Sequence, residues 1–157
     1  MSSKWDLAML EALALAHLAS SSSGDVPVGA VLVDPDGTVV AVGKNERELS
    51  GDPTAHAEIV AIRAAAALNA NWHLNDLTLV VTLEPCAMCA GAIQASRISR
   101  VVFGAWDERV GAAGSRYDLL RDARLGAAVE VIAGVLEDEC ASVLRQFFEE
   151  RRISGSK

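Results

Sequence analysis

The stretch LTLVVTLEPCAMCAGAIQAS, residues 77–96, decides the architecture. Its first six residues, 77–82, are apolar or β-branched without a break, the pattern of a strand buried on both faces. Pro85 then suits a first helical position, where its missing N–H costs nothing. The spacing predicts a helix that starts at Pro85 or Cys86 and runs to about residue 96. A buried strand passing directly into a helix is the building unit of α/β proteins.

The flanking sequence extends this unit in both directions. Upstream, Ser3 can cap a helix over 4–19, with Leu7, Leu10, Ala14 and Leu18 at apolar positions and the 20–23 serine run and Gly24 as its stop. Residues 28–33 and 38–43 read as two strands joined by the Pro35-Asp36-Gly37 turn. A polar loop over 45–53 precedes an Ala-rich helix over 55–69. Downstream come a strand over 100–104, a loop with Gly111 and Gly114, a short helix over 117–122, a strand over 128–132 and a helix over 137–152. Gly111 and Gly114 read as loop glycines supplying positive φ. A hairpin followed by strand–helix alternation predicts an α/β fold: a three-layer α/β/α sandwich around a mixed five-stranded sheet. Residues 1–157 read as one domain without internal repeats, with a frayed tail at 153–157.

Composition narrows the function classes. An apolar fraction of 51% and a mean hydropathy of +0.25 describe a compact chain, not a disordered one. No apolar run reaches the ~18 residues of a membrane span. Residues 1–6 have no signal-peptide layout, so a cytoplasmic location is the expectation. Three cysteines do not make a disulfide framework, and Cys140, alone in the last helix, reads as a small buried apolar residue. The net charge of −7 argues against non-specific binding to DNA or long RNA. Its distribution is uneven: residues 1–96 carry four Lys/Arg against eleven Asp/Glu, whereas residues 97–157 carry ten against ten. The second part therefore leaves room for a local arginine face and for shape-dependent RNA binding.

The chemistry lies in two short elements. His56-Ala57-Glu58 offers an imidazole and a carboxylate two residues apart, and Cys86-Ala87-Met88-Cys89 offers two thiols at a spacing that lets both face one ion. One histidine and two cysteines suit Zn2+, one per chain, and a catalytic zinc keeps its fourth position for a water whose pKa falls to about 7. A helix N-terminus at each element would favour the thiolates that zinc needs. Glu58 is the carboxylate beside a ligand in sequence and the candidate proton shuttle. A lone Cys-x2-Cys is often a closed structural site with four protein ligands, but here a carboxylate accompanies three ligands. His17 reads as a core or rim histidine and His73 as an ordinary loop contact.

These elements resemble the bacterial tRNA-specific adenosine deaminases, within the cytidine deaminase-like zinc enzymes. The resemblance spans about residues 5–150 and rests on Asn45, the 52–59 run DPTAHAEI, the 82–93 run TLEPCAMCAGAI, Ser96-Arg97-Ile98, the 101–105 run VVFGA, Asp107 and the 111–115 run GAAGS. His-x-Glu with Pro-Cys-x-x-Cys is the signature of zinc base deaminases generally. The Asp-Pro-Thr-Ala-His-Ala-Glu and Gly-Ala-Ala-Gly-Ser runs are more specific to the tRNA branch. The resemblance implies His56, Cys86 and Cys89 as zinc ligands and Glu58 as the acid/base. It implies that Asn45 hydrogen-bonds the flipped base, that Val28 lies against it, and that Ala55 and Pro85 line the pocket, with the Ala55 N–H reading the product carbonyl. Asp107 would contact the nucleotide backbone. Relatives of this kind form homodimers and convert the wobble adenosine of an arginine tRNA, in its anticodon stem-loop, to inosine. The chain departs from the family pattern at Gly126-Ala127, where Asn-His is usual, at Arg116, where Leu is usual, and in the less basic Glu149-Glu150-Arg151-Arg152. Trp106 is also unusual there; it can stack on a base or pack as a surface indole. These departures bear on the substrate and leave the zinc chemistry untouched. Two other readings stay in play: a deaminase of free guanine, cytosine or adenosine, and a catalytically silent zinc-binding RNA scaffold or dimer partner.

Overall fold

Five strands form one mixed sheet in the order β2-β1-β3-β4-β5 in the computed structural model, which describes residues 2–155. β1 (Gly29–Val33) lies antiparallel to both β2 (Val39–Lys44) and β3 (Thr78–Leu83), while β4 (Arg100–Ala105) and β5 (Glu130–Ile132) continue parallel to β3. Helices α1 (Asp6–Ser23) and α5 (Glu137–Ser154) cover one face. Helices α3 (Ala57–Asn69) and α4 (Ala87–Ala95) cover the other, and one helical turn, α2 (Arg47–Ser50), interrupts the loop before α3. The three-layer α/β/α sandwich with a mixed five-stranded sheet is as predicted.

Both faces of the central strands are apolar because both are covered. Along β3, Leu79 and Val81 pack toward α3 and α4, while Val80 packs toward α1 and α5. β4 repeats the alternation with Val101 and Phe103 on one side and Val102 on the other. This is the period of two expected of a strand, with apolar residues in both phases.

Helices approach the sheet closely through small residues. A Cβ on Gly29 would lie 1.9 Å from the Ala12 carbonyl oxygen in α1, and one on Gly43 would lie 2.3 Å from the Ala57 carbonyl oxygen in α3. On the α5 side, Cys140 fills the space beside Gly104 and is 1% exposed. It is a free thiol, as are Cys86 and Cys89, and the packing role expected of Cys140 holds. No helix among the described residues is long and apolar enough to cross a membrane.

Four local expectations are corrected. The serine run does not end α1; it continues the helix, with Ser20, Ser22 and Ser23 hydroxyls donating to the His17, Leu18 and Ala19 carbonyls, and Gly24 closes it at φ +71. Such back-bonding makes serine acceptable in a helix. At the other end Ser3 accepts the Trp5 N–H in the turn before α1, whose N-cap is Trp5. Residues 117–122 form no helix: Gly114 N–H donates to Tyr117 and Leu119 N–H to Ala112, so the segment folds back on itself as an irregular hairpin anchored by buried Leu120. The tail also differs, since Ile153 and Ser154 belong to α5 and Gly155 caps it at φ +68; residues 156–157 lie outside the described residues.

Two stability predictions follow from this packing. Gly29→Ala places a methyl against backbone, so α1 must shift; overpacking costs about 1–3 kcal/mol, and denaturant unfolding should return the upper end of that range. Burial, with Glu139 beside it, pushes the Cys140 thiol from its ordinary 9.0 up to about 12. In the unfolded chain it ionises first, so this stabilisation is intact below about pH 9 and is lost as pH rises toward 12. Melting temperatures at about pH 8 and pH 10.5 should therefore fall more for the wild type than for Cys140→Ala.

Candidate zinc centre

His56 and Cys86 are the N-caps of α3 and α4. Both have extended ψ, 155° and 176°, and neither spends its side chain on capping. Their carbonyls already accept the first helical bonds, from Val60 and Ala90. The two side chains are thus free to project ahead of their helices, where N–H groups and the positive dipole ends converge. Cys89 lies one turn into α4 and is fully buried. Pro85 stands one residue before the cap and not at the first helical position; its carbonyl accepts the Ala112 N–H at 2.7 Å.

The donor atoms fit a metal. His56 Nδ1 is 3.6 Å from Cys86 Sγ and 3.5 Å from Cys89 Sγ, and all three ligand atoms lie within 4.8 Å of one another. Tetrahedral zinc, with Zn–S about 2.3 Å and Zn–N about 2.1 Å, separates sulfur from nitrogen by about 3.6 Å. One histidine and two cysteines can hold a single zinc here.

Electrostatics favour one of the two thiolates that zinc needs, that of Cys86. Its contacts with Cys89 and with His56 lower the Cys86 thiol to about 4. Cys89 is raised by its contact with Cys86 and by burial, and its Sγ donates to Glu58 Oε2 at 3.0 Å. His56 is raised by its contact with Cys86. Burial pushes the Glu58 carboxyl up, which suits a group that must hold a proton as well as release one.

The site opens into a cavity of about 690 Å³. His56, Glu58 and Cys86 line it, as do Asn45, Val28 and Asp107. Asn45 is held by its own bonds, donating to Val26 O at 3.2 Å and accepting from Arg47 N–H. Asp107 Oδ1 accepts the Arg109 and Val110 N–H groups and so shapes its loop. Ala55 and Pro85 are buried but do not line the cavity, and the Ala55 N–H donates to Asp52 O at 3.2 Å, so it is not free to read a carbonyl. Of the remaining histidines, His17 is exposed and not in the core, and His73 stacks on Trp72 in its loop.

Two carboxylates that organise the site went unread. Glu84, 2% exposed, accepts the N–H groups of Asp107, Ala113 and Ser115 and the Ser115 hydroxyl. It ties the 107–115 loop to the residue beside Pro85-Cys86. Gly111 is needed for this approach, since a Cβ there would lie 2.4 Å from Glu84 Cδ; Gly114, at φ +133, is the one that supplies positive φ. Asp25, 1% exposed, accepts the N–H groups of Glu48 and Leu49 and so docks α2, with Arg47, at the cavity. For Glu84, an acid set inside a largely apolar run was the available signal; Asp25, after the serine run and Gly24, carried none.

Comparisons with known proteins agree with this geometry. The cytidine and deoxycytidylate deaminase zinc-binding region matches residues 2–105, and the chain belongs to this deaminase family. A tRNA-specific adenosine deaminase of Haemophilus influenzae is 48% identical over 151 residues, 96% of this chain and 87% of that protein. A structure from work on A-to-I editing by tRNA:A34 deaminases matches with a TM-score of 0.83 at 40% identity, over 88% of this chain and 99% of the other. Within the family, the chain groups with the tRNA-specific adenosine deaminases. A guanine deaminase from Bacillus subtilis is also similar, with 39% identity over 68% of each chain and a TM-score of 0.60.

Cys86→Ala should lose bound zinc, measured as metal per chain. The loss of affinity should exceed the roughly 10- to 100-fold typical of an outer-shell partner, and the melting temperature should fall because the ion joins two helices. A stable, zinc-replete Cys86→Ala protein would refute the assignment.

Proposed function

We propose that the chain, as one domain over residues 1–157, hydrolyses adenosine to inosine at the wobble position of an arginine tRNA. The observation that carries this reading is a His56-Cys86-Cys89 cluster beside a buried Glu58 at a cavity lined by Asn45, Val28 and Asp107. His56, Cys86 and Cys89 hold zinc, which when bound supplies the Lewis acidity that activates water at neutral pH. Glu58 takes a proton from the attacking water and delivers it to a ring nitrogen of the base, then passes a second proton to the departing amine. Water adds at the amine-bearing carbon, ammonia leaves, and a ring carbonyl remains. Asn45 hydrogen-bonds the base, Val28 supplies an apolar wall, and Asp107 meets the nucleotide backbone at the rim. A base in an anticodon loop is already partly unstacked, so drawing it into such a cavity costs less than opening a duplex. The family resemblance implies a homodimer, and the expected location is the cytoplasm.

A second reading is favoured by one observation, the likeness to a guanine deaminase. In that case the same zinc and Glu58 would act on a free base. Incubation with an arginine-tRNA anticodon stem-loop, with guanine, cytosine and adenosine assayed in parallel for ammonia, separates the two. Inosine at the wobble position is the expected result; ammonia from a free base with no edited RNA would transfer the chemistry to the second reading.

Glu58→Ala should lower turnover by about 10²- to 10⁴-fold, the usual share of general acid–base catalysis, while zinc stays bound. Wild-type protein that turns over no amine-bearing base would favour a silent zinc-binding scaffold.

A further inference from the structure

The mouth of the cavity carries an indole that the chemistry above does not use. Trp106 directly follows β4, lines the cavity beside Asp107, and is 43% exposed. Its ring is held in place: buried Phe103 meets it edge-on, with centroids 4.9 Å apart and planes at 84°. Gly114 lies against it as well, since a Cβ there would come within 3.3 Å of the ring. The backbone after it is pinned by Glu84, which accepts the Asp107 N–H at 3.0 Å. An aromatic ring ordered before its ligand arrives loses little entropy on binding.

Charge at this mouth does not suffice to hold a polyanion. Arg47 and Arg109 line the cavity, but Asp107 and Glu108 line it too. Stacking is the interaction left to a nucleic-acid ligand there, and it tolerates any base because every base has a π-face. We propose that Trp106 is the stacking platform for the nucleobase adjacent, along the RNA strand, to the one being deaminated. The family pattern assigns no such role at this position, where this chain departs from it. The proposal rests on the tRNA reading above.

The test uses the zinc-loaded protein and an arginine-tRNA anticodon stem-loop. In a Trp5→Phe/Trp72→Phe background, Trp106 is the sole remaining indole of the chain's three. Its fluorescence should be quenched as the stem-loop binds, saturating near the KM for editing. Trp106→Ala should raise KM by about 5- to 150-fold, the effect of losing one base–aromatic stack, with a much smaller change in kcat. Trp106→Phe should recover most of the loss. A surface indole with a packing role only would instead give unquenched fluorescence and an unchanged KM while the wild type still edits; that result overturns this proposal and leaves the function standing. A wild type that neither edits nor binds the stem-loop overturns both. If Trp106→Ala does not fold, the quenching experiment decides alone.

Discussion

The approach of α3 to the sheet edge is the constraint on which the rest of the site depends. Gly43 in β2 has no side chain, and the space a Cβ would fill is occupied by the Ala57 carbonyl and the Ala61 nitrogen. Ala57 is the first residue of α3 and neighbours His56, so this contact sets where the imidazole begins its reach. Ala57, Ala61 and Ala65 keep the rest of the helix flush with β1 and β2. Two strands away, the direct passage from β3 through Glu84-Pro85 into α4 sets the position of Cys86. Two helix N-termini anchored in the same sheet thus bring His56 Nδ1 and Cys86 Sγ, the side chains of their caps, to 3.6 Å. The metal would lock a convergence that the packing has already built.

Glu84 performs the equivalent service for the loop beyond β4. A buried carboxylate is costly unless its oxygens are satisfied, and here three backbone N–H groups and one hydroxyl satisfy it. Those donors come from residues 107, 113 and 115, so the carboxylate folds the loop around itself. The backbone beside Cys86 is also bridged to Gly111. The loop that carries Trp106 and Asp107 is therefore fastened to the strand end that carries a metal ligand, and the spacing between the cavity's mouth and its floor is a property of one charge and its donors.

The sheet, its helices and the zinc cluster were legible because each has a local signal: unbroken apolar runs, Ala-rich amphipathic stretches, and His-x-Glu with Cys-x2-Cys. What was not legible depends on tertiary context. The 20–23 serine run has poor helix propensity, but its hydroxyls found carbonyls one turn back. Residues 117–122 look helical in isolation, yet they pair with Ala112 and Gly114. Gly111 resembles any loop glycine until Glu84 is seen beside it. Asp25 is an ordinary acid until α2 supplies the N–H groups it accepts. The Ala55 N–H could be offered to a ligand on sequence grounds, but the Asp52 carbonyl already takes it.

Charge placement explains how an acidic chain can act on RNA under the proposed function. Several arginines of the second half are neutralised locally: Arg100 pairs with Glu130, Arg121 with Asp118 and Arg124 with Asp122. Exposed pairs of this kind add little stability, but they cancel the field that would draw in a polyanion from a distance. Arg151 is also engaged, donating to the Gly24 carbonyl. Affinity must then come from fit: one base inside the cavity, contact at its rim, and little from the phosphates. A duplex offers no base to such a site without the cost of unstacking, whereas a tight loop presents its bases already turned outward. Under the proposed function, the net charge of −7 that disfavours general nucleic-acid binding would also favour a preformed loop over a duplex.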